Sequence, residues 1–387
     1  MSAPKAPLFS ARRPQVRAVA PGRTELAGNH VDHQQGRVLS ATVSQCIVIE
    51  AAPNGTDTIR MESAGFSPMA VRIGDWAPRE GERNASQALI RGLGACFADA
   101  GYHPSGLDMR ATSTLPAGGG LSSSAAFEMA VAQVFNAFWA QGAVEPLTRA
   151  RWGKRAECDW FGKPSGLQDQ TISACGGILL MDFSDPETPA LHPVPFDFGA
   201  EGYDVVLVDT HCDHSAFADR FAQIPADMQR VAHLFGAPVL GLVDVDDFLA
   251  KLPVVRAKAG DRATLRALHF FRENELVMRR VQALEAHDMA TFLRETNASG
   301  RSSAQYLQNV SVGGDSQPAM IALALADRVL DGHGAFRIHG GGFGGSVQAY
   351  VPQALTKDFC MHLDAWLGAG TCRELSLGAP GAYFEWL

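Results

Sequence analysis

The chain has 387 residues, enough for two domains that each bury their own core. Its 46% hydrophobic and 19% charged content is that of a folded globular protein and excludes a disordered one. The net charge of -8 argues against nucleic acid or an anionic membrane as a general partner, while leaving room for one anionic ligand in a local site. Seven cysteines, an odd number without a CxxC pair, read as the reduced thiols of a cytoplasmic protein. No apolar run approaches a membrane span, and residues 1–14, with Lys5, Arg12 and Arg13, read as a short leader. The pattern asks for no assembly beyond a monomer or a weak dimer.

In chain order, Val16 to Ala20 predicts a strand ending at Pro21-Gly22, and Val38 to Glu50, rich in β-branched residues, predicts another. Ala85 to Ala100 carries an apolar face at helical spacing and stops at Gly101. Leu107 to Ser113 alternates as a strand and runs into a glycine-rich stretch, after which Ser124 to Ala140 is helical. Gly177 to Phe183 and Tyr203 to Thr210 are buried-type strands separated by Pro186, Pro189, Pro193 and Pro195. That proline cluster divides an N-terminal domain, 15–198, from a C-terminal domain, 199–387. The second half is helix-rich, with Ala263 to Ala286 the longest segment, and returns to strands around a glycine cluster at 340–345. Mixed rather than alternating order predicts α+β in both lobes.

Three motifs carry chemistry. Ala117-Gly118-Gly119-Gly120-Leu121-Ser122-Ser123-Ser124-Ala125-Ala126 places glycines and hydroxyls at the start of a helix. Glycines let a backbone approach a ligand, and a helix N-terminus offers unpaired N–H groups to an anion, so this is a phosphate-site pattern. Ala20-Pro21-Gly22-Arg23-Thr24-Glu25-Leu26-Ala27-Gly28-Asn29-His30-Val31-Asp32-His33-Gln34-Gln35-Gly36 is dense in groups able to hydrogen-bond sugar hydroxyls and lies between two apolar strands. Arg337-Ile338-His339-Gly340-Gly341-Gly342-Phe343-Gly344-Gly345-Ser346 is a second glycine loop, suited to close approach of a ligand or another loop. His30-x-Asp32-His33 and His211-Cys212-Asp213-His214 have metal-ligand spacings, but two such residues three apart are common by chance.

Together these motifs resemble, in order and spacing, the three signatures of the GHMP small-molecule kinases. The Ala20–Gly36 motif closely resembles the galactokinase signature, and Gly162-Lys163-Pro164-Ser165-Gly166-Leu167-Gln168-Asp169-Gln170 is similar to the galactokinase segment bearing the catalytic aspartate. The resemblance spans about residues 8–355 and implies a two-lobed fold with the site in the cleft, and an ATP- and Mg2+-dependent kinase acting at the anomeric hydroxyl of galactose. It implies Asp169 as catalytic aspartate with Arg23 beside it, and Gly118, Gly119, Gly120, Leu121, Ser122, Ser123 and Ser124 on the ATP phosphates. Gly341 and Gly342 would complete the nucleotide site, Ser124 and Glu157 would hold Mg2+, and Asn29, His30, Asp32, Gly166 and Phe221 would face the sugar.

The chain departs from the family pattern at Asn29, where glutamate is usual, at His33 and Phe221, where tyrosine is usual, and at His339, Gly341 and Ser346, where Thr, Ala and Cys are commoner. The loss of a carboxylate at position 29 keeps galacturonate open as an alternative sugar. A sugar and ATP sensor without turnover is the other alternative, although the serine run, Asp169 and Arg23 are all intact.

Overall fold

The computed structural model describes residues 13–116, 120–163, 165–212 and 217–387. The chain forms strand β1 (Val16–Ala27), then β2 (Arg37–Pro53), β3 (Thr58–Ser63) and β4 (Met69–Arg72). Helix α1 (Ser86–Asp99), strand β5 (Leu107–Ser113) and helices α2 (Ser123–Ala140), α3 (Pro146–Arg155) and α4 (Gln168–Cys175) follow. A π-helical turn at Ala156–Phe161 separates α3 from α4. Next come β6 (Ile178–Asp182), β7 (Ala190–Pro193) and β8 (Tyr203–Asp209). The second half contains α5 (Ala218–His233), α6 (Val245–Ala250), α7 (Leu252–Ala259), α8 (Asp261–Glu285), α9 (Met289–Ser302) and α10 (Pro318–Leu330). It ends with β9 (Ala335–His339), β10 (Ser346–Pro352), α11 (Gln353–Leu367), β11 (Cys372–Leu375) and β12 (Tyr383–Trp386).

Two sheets organise these elements. The larger runs β12-β1-β2-β5-β3-β4, with β6 and β7 attached through β2. Strand β2 is long enough to serve two partners on one side: Arg37–Ala41 pairs with β6, and Ile47–Pro53 pairs with β5. The smaller sheet runs β11-β8-β10-β9 and is antiparallel throughout. On β8 the side-chain alternation serves two layers. Val205 and Leu207 join a core with Leu26 and Leu39 of the first sheet, whereas Val206 and Val208 pack under α10 and α11 with Phe359 and Leu363.

Helix α2 is apolar on nearly every face, which is the signature of a helix enclosed by other elements. Met129, Val131, Val134 and Phe135 are buried, and Phe135 stacks on Trp139 at 3.9 Å between ring centres. That burial fixes where α2 starts, and so where its unpaired N-terminal N–H groups lie.

Two expectations are corrected. Strand β1 does not stop at Pro21-Gly22 but continues to Ala27, with a register irregularity between Pro21 and Arg23. Proline lacks the ladder donor, and a bulge is where a sheet tolerates that loss. Arg23 to Ala27 are therefore strand residues, and only residues 28–36 form the loop. The division at 198/199 does not part the chain cleanly, because β12 pairs with β1, Val16 opposite Trp386. The tail thus belongs to the first sheet.

Candidate active site

Arg23 projects from β1 and Asp169 from the first turn of α4. They meet in a two-pronged ion pair: Arg23 Nε donates to Asp169 Oδ1 at 2.7 Å and Nη2 to Oδ2 at 2.9 Å. The fork matches the carboxylate geometry, so the pair is directional as well as charged. Arg23 Nη1 donates to the Gly120 carbonyl at 2.8 Å, and Ser122 Oγ donates to Asp169 Oδ2. Burial alone would raise the Asp169 pKa, but the Arg23 charge and the hydrogen bonds from Arg23 and Ser122 outweigh it and hold the carboxyl below its ordinary value. For Arg23, burial lowers and the Asp169 charge raises, with a net rise. The 146 positions between these residues are bridged because α4 packs on β1, where Ser173 Oγ donates to the Pro21 carbonyl at 2.7 Å.

The glycine-serine loop lies against this pair. Gly118 and Gly119 fall outside the described residues. Gly120 takes φ +72° and Ser122 φ +53°, so the chain turns through left-handed positions directly before α2. The Leu121 carbonyl accepts from Arg23 N–H at 3.1 Å, which ties the loop to β1. Leu121 is buried, Ser123 is exposed and Ser124 is half-buried in the first turn of α2. The N–H groups of that turn and the Arg23 guanidinium are the kind of groups that could receive an anion beside an ionised carboxylate.

On the other side of Asp169 lies the loop 28–36. A Cβ on Gly166 would overlap Asp32 Oδ2, so the glycine permits the Asp32 carboxyl to rest on the backbone of the Asp169 segment. Burial raises the Asp32 pKa to about 6, with the Glu25 and Asp169 charges adding to the rise and the His33 N–H opposing it. His30 donates through Nε2 to the Gly341 carbonyl at 3.0 Å, which leaves Nδ1 as its acceptor, and burial lowers its pKa. Burial also pushes His33 down to about 3. Phe221 packs edge-on to Phe343 at 4.9 Å and lies 6.5 Å from the His30 ring.

Asn29 is the exception among the expected sugar residues. Its side chain is fully buried, and Nδ2 donates to the Gly340 carbonyl and to Glu25 Oε1, the latter at 3.4 Å. Its Oδ1 accepts from Asn309 Nδ2 at 2.8 Å and Ser303 Oγ at 3.5 Å. Two donor and two acceptor positions are all an amide has, so no capacity remains for a sugar hydroxyl. The structure makes Asn29 a tie between the 28–36 loop and the C-terminal glycine segment. Gly341 and Gly342 sit on that same side. A Cβ on Gly341 would overlap Phe221, and one on Gly342 would overlap the Asn309 carbonyl. The contact with Gly120 comes instead from His339 and Ser346, at 3.2 Å and 3.0 Å from a Cβ built there.

Glu157, in the π-helical turn, is buried. Its Oε1 accepts from Lys163 Nζ and its Oε2 from Gln170 Nε2, both at 3.0 Å. Gln170 also donates to Glu128 Oε2 at 3.0 Å, while Glu128 Oε1 is buried without a partner. Burial, reinforced by the Glu157 charge, raises the Glu128 pKa well above its ordinary value. A hydroxyl at Ser124 and a carboxylate at Glu157 are the hard oxygen donors that suit Mg2+. The cation beside Glu157 in this structure is the Lys163 ammonium. Among the described residues, no three His, Cys, Asp or Glu side chains are grouped to hold a metal, and Asp213 and His214 lie outside them. No described helix is long and apolar enough to cross a membrane.

Several contributors were not legible in the sequence: the Ser122 bond to Asp169, the Lys163–Glu157 pair, and Asn309. The available signal for the second was the i,i+6 spacing across a glycine stop, which is weak.

Comparison with known proteins gives a consistent picture. A model of the GHMP kinases N terminal domain matches residues 87–177, and a galactokinase galactose-binding signature matches residues 7–53. The chain is 33% identical to the galactokinase of Streptomyces coelicolor over 352 residues, covering 87% of this chain and 86% of that one. It is 30% identical to the galactokinase of Thermotoga neapolitana over 332 residues, covering 86% and 88%. Among solved structures, Lactococcus lactis galactokinase complexed with galactose superposes with a TM-score of 0.80 at 21% identity, covering 97% and 96% of the two chains. Methanococcus jannaschii mevalonate kinase superposes at 0.67 with 13% identity, covering 94% and 99%.

Proposed function

This chain belongs to the galactokinase family of the GHMP kinases, and we propose that it transfers the γ-phosphoryl group of ATP to the anomeric oxygen of galactose, giving galactose 1-phosphate. The observation that carries the reading is the Arg23–Asp169 fork, tied to the phosphate loop through Gly120 and Ser122. Phosphoryl transfer leaves little covalent work to the protein, so position and charge carry the catalysis. Asp169, kept ionised by Arg23, holds the proton of the sugar hydroxyl and aims that oxygen. Arg23 offers its remaining positive charge to the transferring group. The loop from Gly118 to Ser124 and the α2 N-terminus bind the phosphates. Asp32, His30 and the Gly166 backbone position the sugar, with Phe221 supplying an apolar wall.

Ser124 and Glu157 would hold Mg2+, which when bound neutralises phosphate charge. Binding there would require the Lys163 head group, whose side chain is 57% exposed, to move off Glu157. The seven free thiols favour a reducing, cytoplasmic setting.

The test is direct. Purified protein with MgATP and galactose should yield ADP and an anomeric sugar phosphate, detected by phosphorus NMR. Parallel reactions with galacturonate, an N-acetylhexosamine and glucose rank the substrates. Turnover confined to galacturonate would move the substrate to a uronic acid, and ATP binding without turnover on any sugar would make the protein a sensor.

A further inference from the structure

A line of buried hydrogen bonds runs from the second sheet to the phosphate loop, and donor chemistry sets its direction. Ser346, Gln348 and Tyr350 alternate along β10 and so share one face of the strand. Tyr350 OH donates to Gln348 Oε1 at 3.1 Å. Gln348 Nε2, a donor only, reaches Thr24 Oγ1 of β1 at 2.8 Å. Thr24 Oγ1 lies 2.9 Å from His339 Nε2, and because the Glu25 backbone N–H, a donor only, is aimed at the same nitrogen from 3.4 Å, Nε2 is the acceptor and the Thr24 hydroxyl donates to it. Two donors converge on Nε2, so the imidazole hydrogen sits on Nδ1. Nδ1–H then donates to Ser346 Oγ at 3.1 Å, across the register pair that joins β9 to β10.

All five side chains are buried. Each passes its proton forward, and the Ser346 hydroxyl proton is the one left over, with no acceptor among the described residues. That end of the line meets Gly120, where an added Cβ would lie 3.0 Å from Ser346 Oγ. Gly120 is also the residue whose carbonyl takes the Arg23 Nη1 hydrogen bond. The spare donor is thus aimed at the loop beside the Arg23–Asp169 pair, where a phosphate oxygen would supply the missing acceptor.

We infer that Ser346 is a nucleotide contact: its hydroxyl, aimed by His339, donates to a phosphate oxygen of the bound nucleoside triphosphate at Gly120. The inference rests on the reading of the glycine-serine loop as the triphosphate site. His339 is a positioning residue acting through Ser346, and Thr24 and Gln348 hold its tautomer. The two residues stand where Thr and Cys are commoner in the family pattern, so the couple belongs to this chain's own departures. A hydroxyl is a better donor than a thiol, and a bond to a charged acceptor is among the stronger ones.

The experiment compares wild type with S346A, S346C, H339A and the S346A/H339A double variant. ATP affinity is measured by calorimetry without sugar, and KM for ATP and for galactose and kcat by coupled assay, with thermal melts to establish folding. S346A should weaken ATP binding and raise KM for ATP by about tenfold, with KM for galactose within about twofold of wild type. S346C should recover part of the loss. H339A should lose a similar factor, and the double variant should lose no more than the worse single, because one residue works through the other. Wild-type ATP affinity in folded S346A overturns the contact, as would equal losses for ATP and galactose. Multiplying losses in the double variant overturn the route through His339. A wild-type protein that binds no ATP at all would instead overturn the reading of the loop, which separates the two failures.

Discussion

Asp169→Asn keeps the shape of the side chain and removes its charge. In the wild-type protein both carboxylate oxygens accept from Arg23, at 2.7 Å and 2.9 Å, and Oδ2 also accepts from Ser122. An amide can meet only one prong of the fork, and its NH2 group faces a second donor. The Arg23 side chain is only 12% exposed, so it loses its counter-charge in a largely desolvated place. Breaking a fully buried pair costs about 3–5 kcal/mol, but the Asp169 side chain is 32% exposed, and screening reduces the expected cost to about 1–2 kcal/mol. The catalytic loss is larger. A positioned proton acceptor contributes about 10²- to 10⁴-fold, so kcat should fall about a thousandfold, or about 4 kcal/mol of barrier. Calorimetry should find ATP binding within a few-fold of wild type, and the melting temperature should drop by only a few degrees. A kcat within about fivefold of wild type would remove Asp169 from the chemistry and leave the fork a structural pair.

The pH behaviour follows from Asp32 rather than from Asp169. Asp169 has a depressed pKa, so its stabilisation is present above the ordinary value of 3.8 and fades only at lower pH, outside the working range. Asp32 is raised from 3.8 to about 6, so its favourable contribution is full below about pH 4 and is lost as pH rises through about 6. The acid limb of kcat/KM for the sugar should therefore lie near pH 6, and Asp32→Asn should melt higher than wild type at pH 8 while losing galactose affinity; a lower melting point would contradict the assignment. Gly166→Ala should push Asp32 aside and raise KM for galactose about tenfold with KM for ATP unchanged, checked by paired titrations of the two substrates. Asn29→Asp would turn a donor to Glu25 and Gly340 into a second acceptor, so a loss of about 2–4 kcal/mol is expected in denaturant melts, and an unchanged midpoint would mean the tie is weak.

What the sequence revealed and what it hid divide along a physical line. Helices α1, α2 and α8 and strands β5 and β8 announce themselves by apolar period, because each has a face or a whole surface to bury. The extension of β1 past Pro21 did not, since proline is normally a strand breaker and the bulge that accommodates it depends on β2. Asp169 was readable from its segment, but its second partner, Ser122, is set by a left-handed turn that exists only after α2 packs. The inward role of Asn29 is hidden because residue type shows hydrogen-bonding capacity and not who uses it; Asn309, 280 positions away, is invisible in any local window. The polar alternation Ser346, Gln348, Tyr350 is unusual for a buried strand, and with the departures at His339 and Ser346 it is the trace in the sequence of the line that ends at Gly120.

The sugar-side loop is held by buried charge where apolar packing would serve stability as well. Glu273 Oε1 accepts from Gly28 N–H at 3.1 Å, Ser299 Oγ at 2.9 Å and Arg280 Nη2 at 2.5 Å. Burial would raise the Glu273 pKa, yet the charges of Arg280, His269 and Arg337 hold it at about 2, so the carboxylate stays ionised. Arg337 Nη2 donates to the Glu25 carbonyl at 2.7 Å, and His269 Nε2 donates to the Asn29 carbonyl at 2.9 Å. These contacts reach β1 and its loop from α8, α9 and β9. Desolvating so many charges brings little net stability. It does make alternatives expensive, because sliding the loop by one residue would strand a charge or an N–H in a dry interior. In the proposed reaction Asp32 and His30 hang from this loop to hold the sugar oxygen beside Asp169 with a tolerance of a fraction of an ångström, so a seam that tolerates no slippage serves positioning better than a greasier and equally stable one.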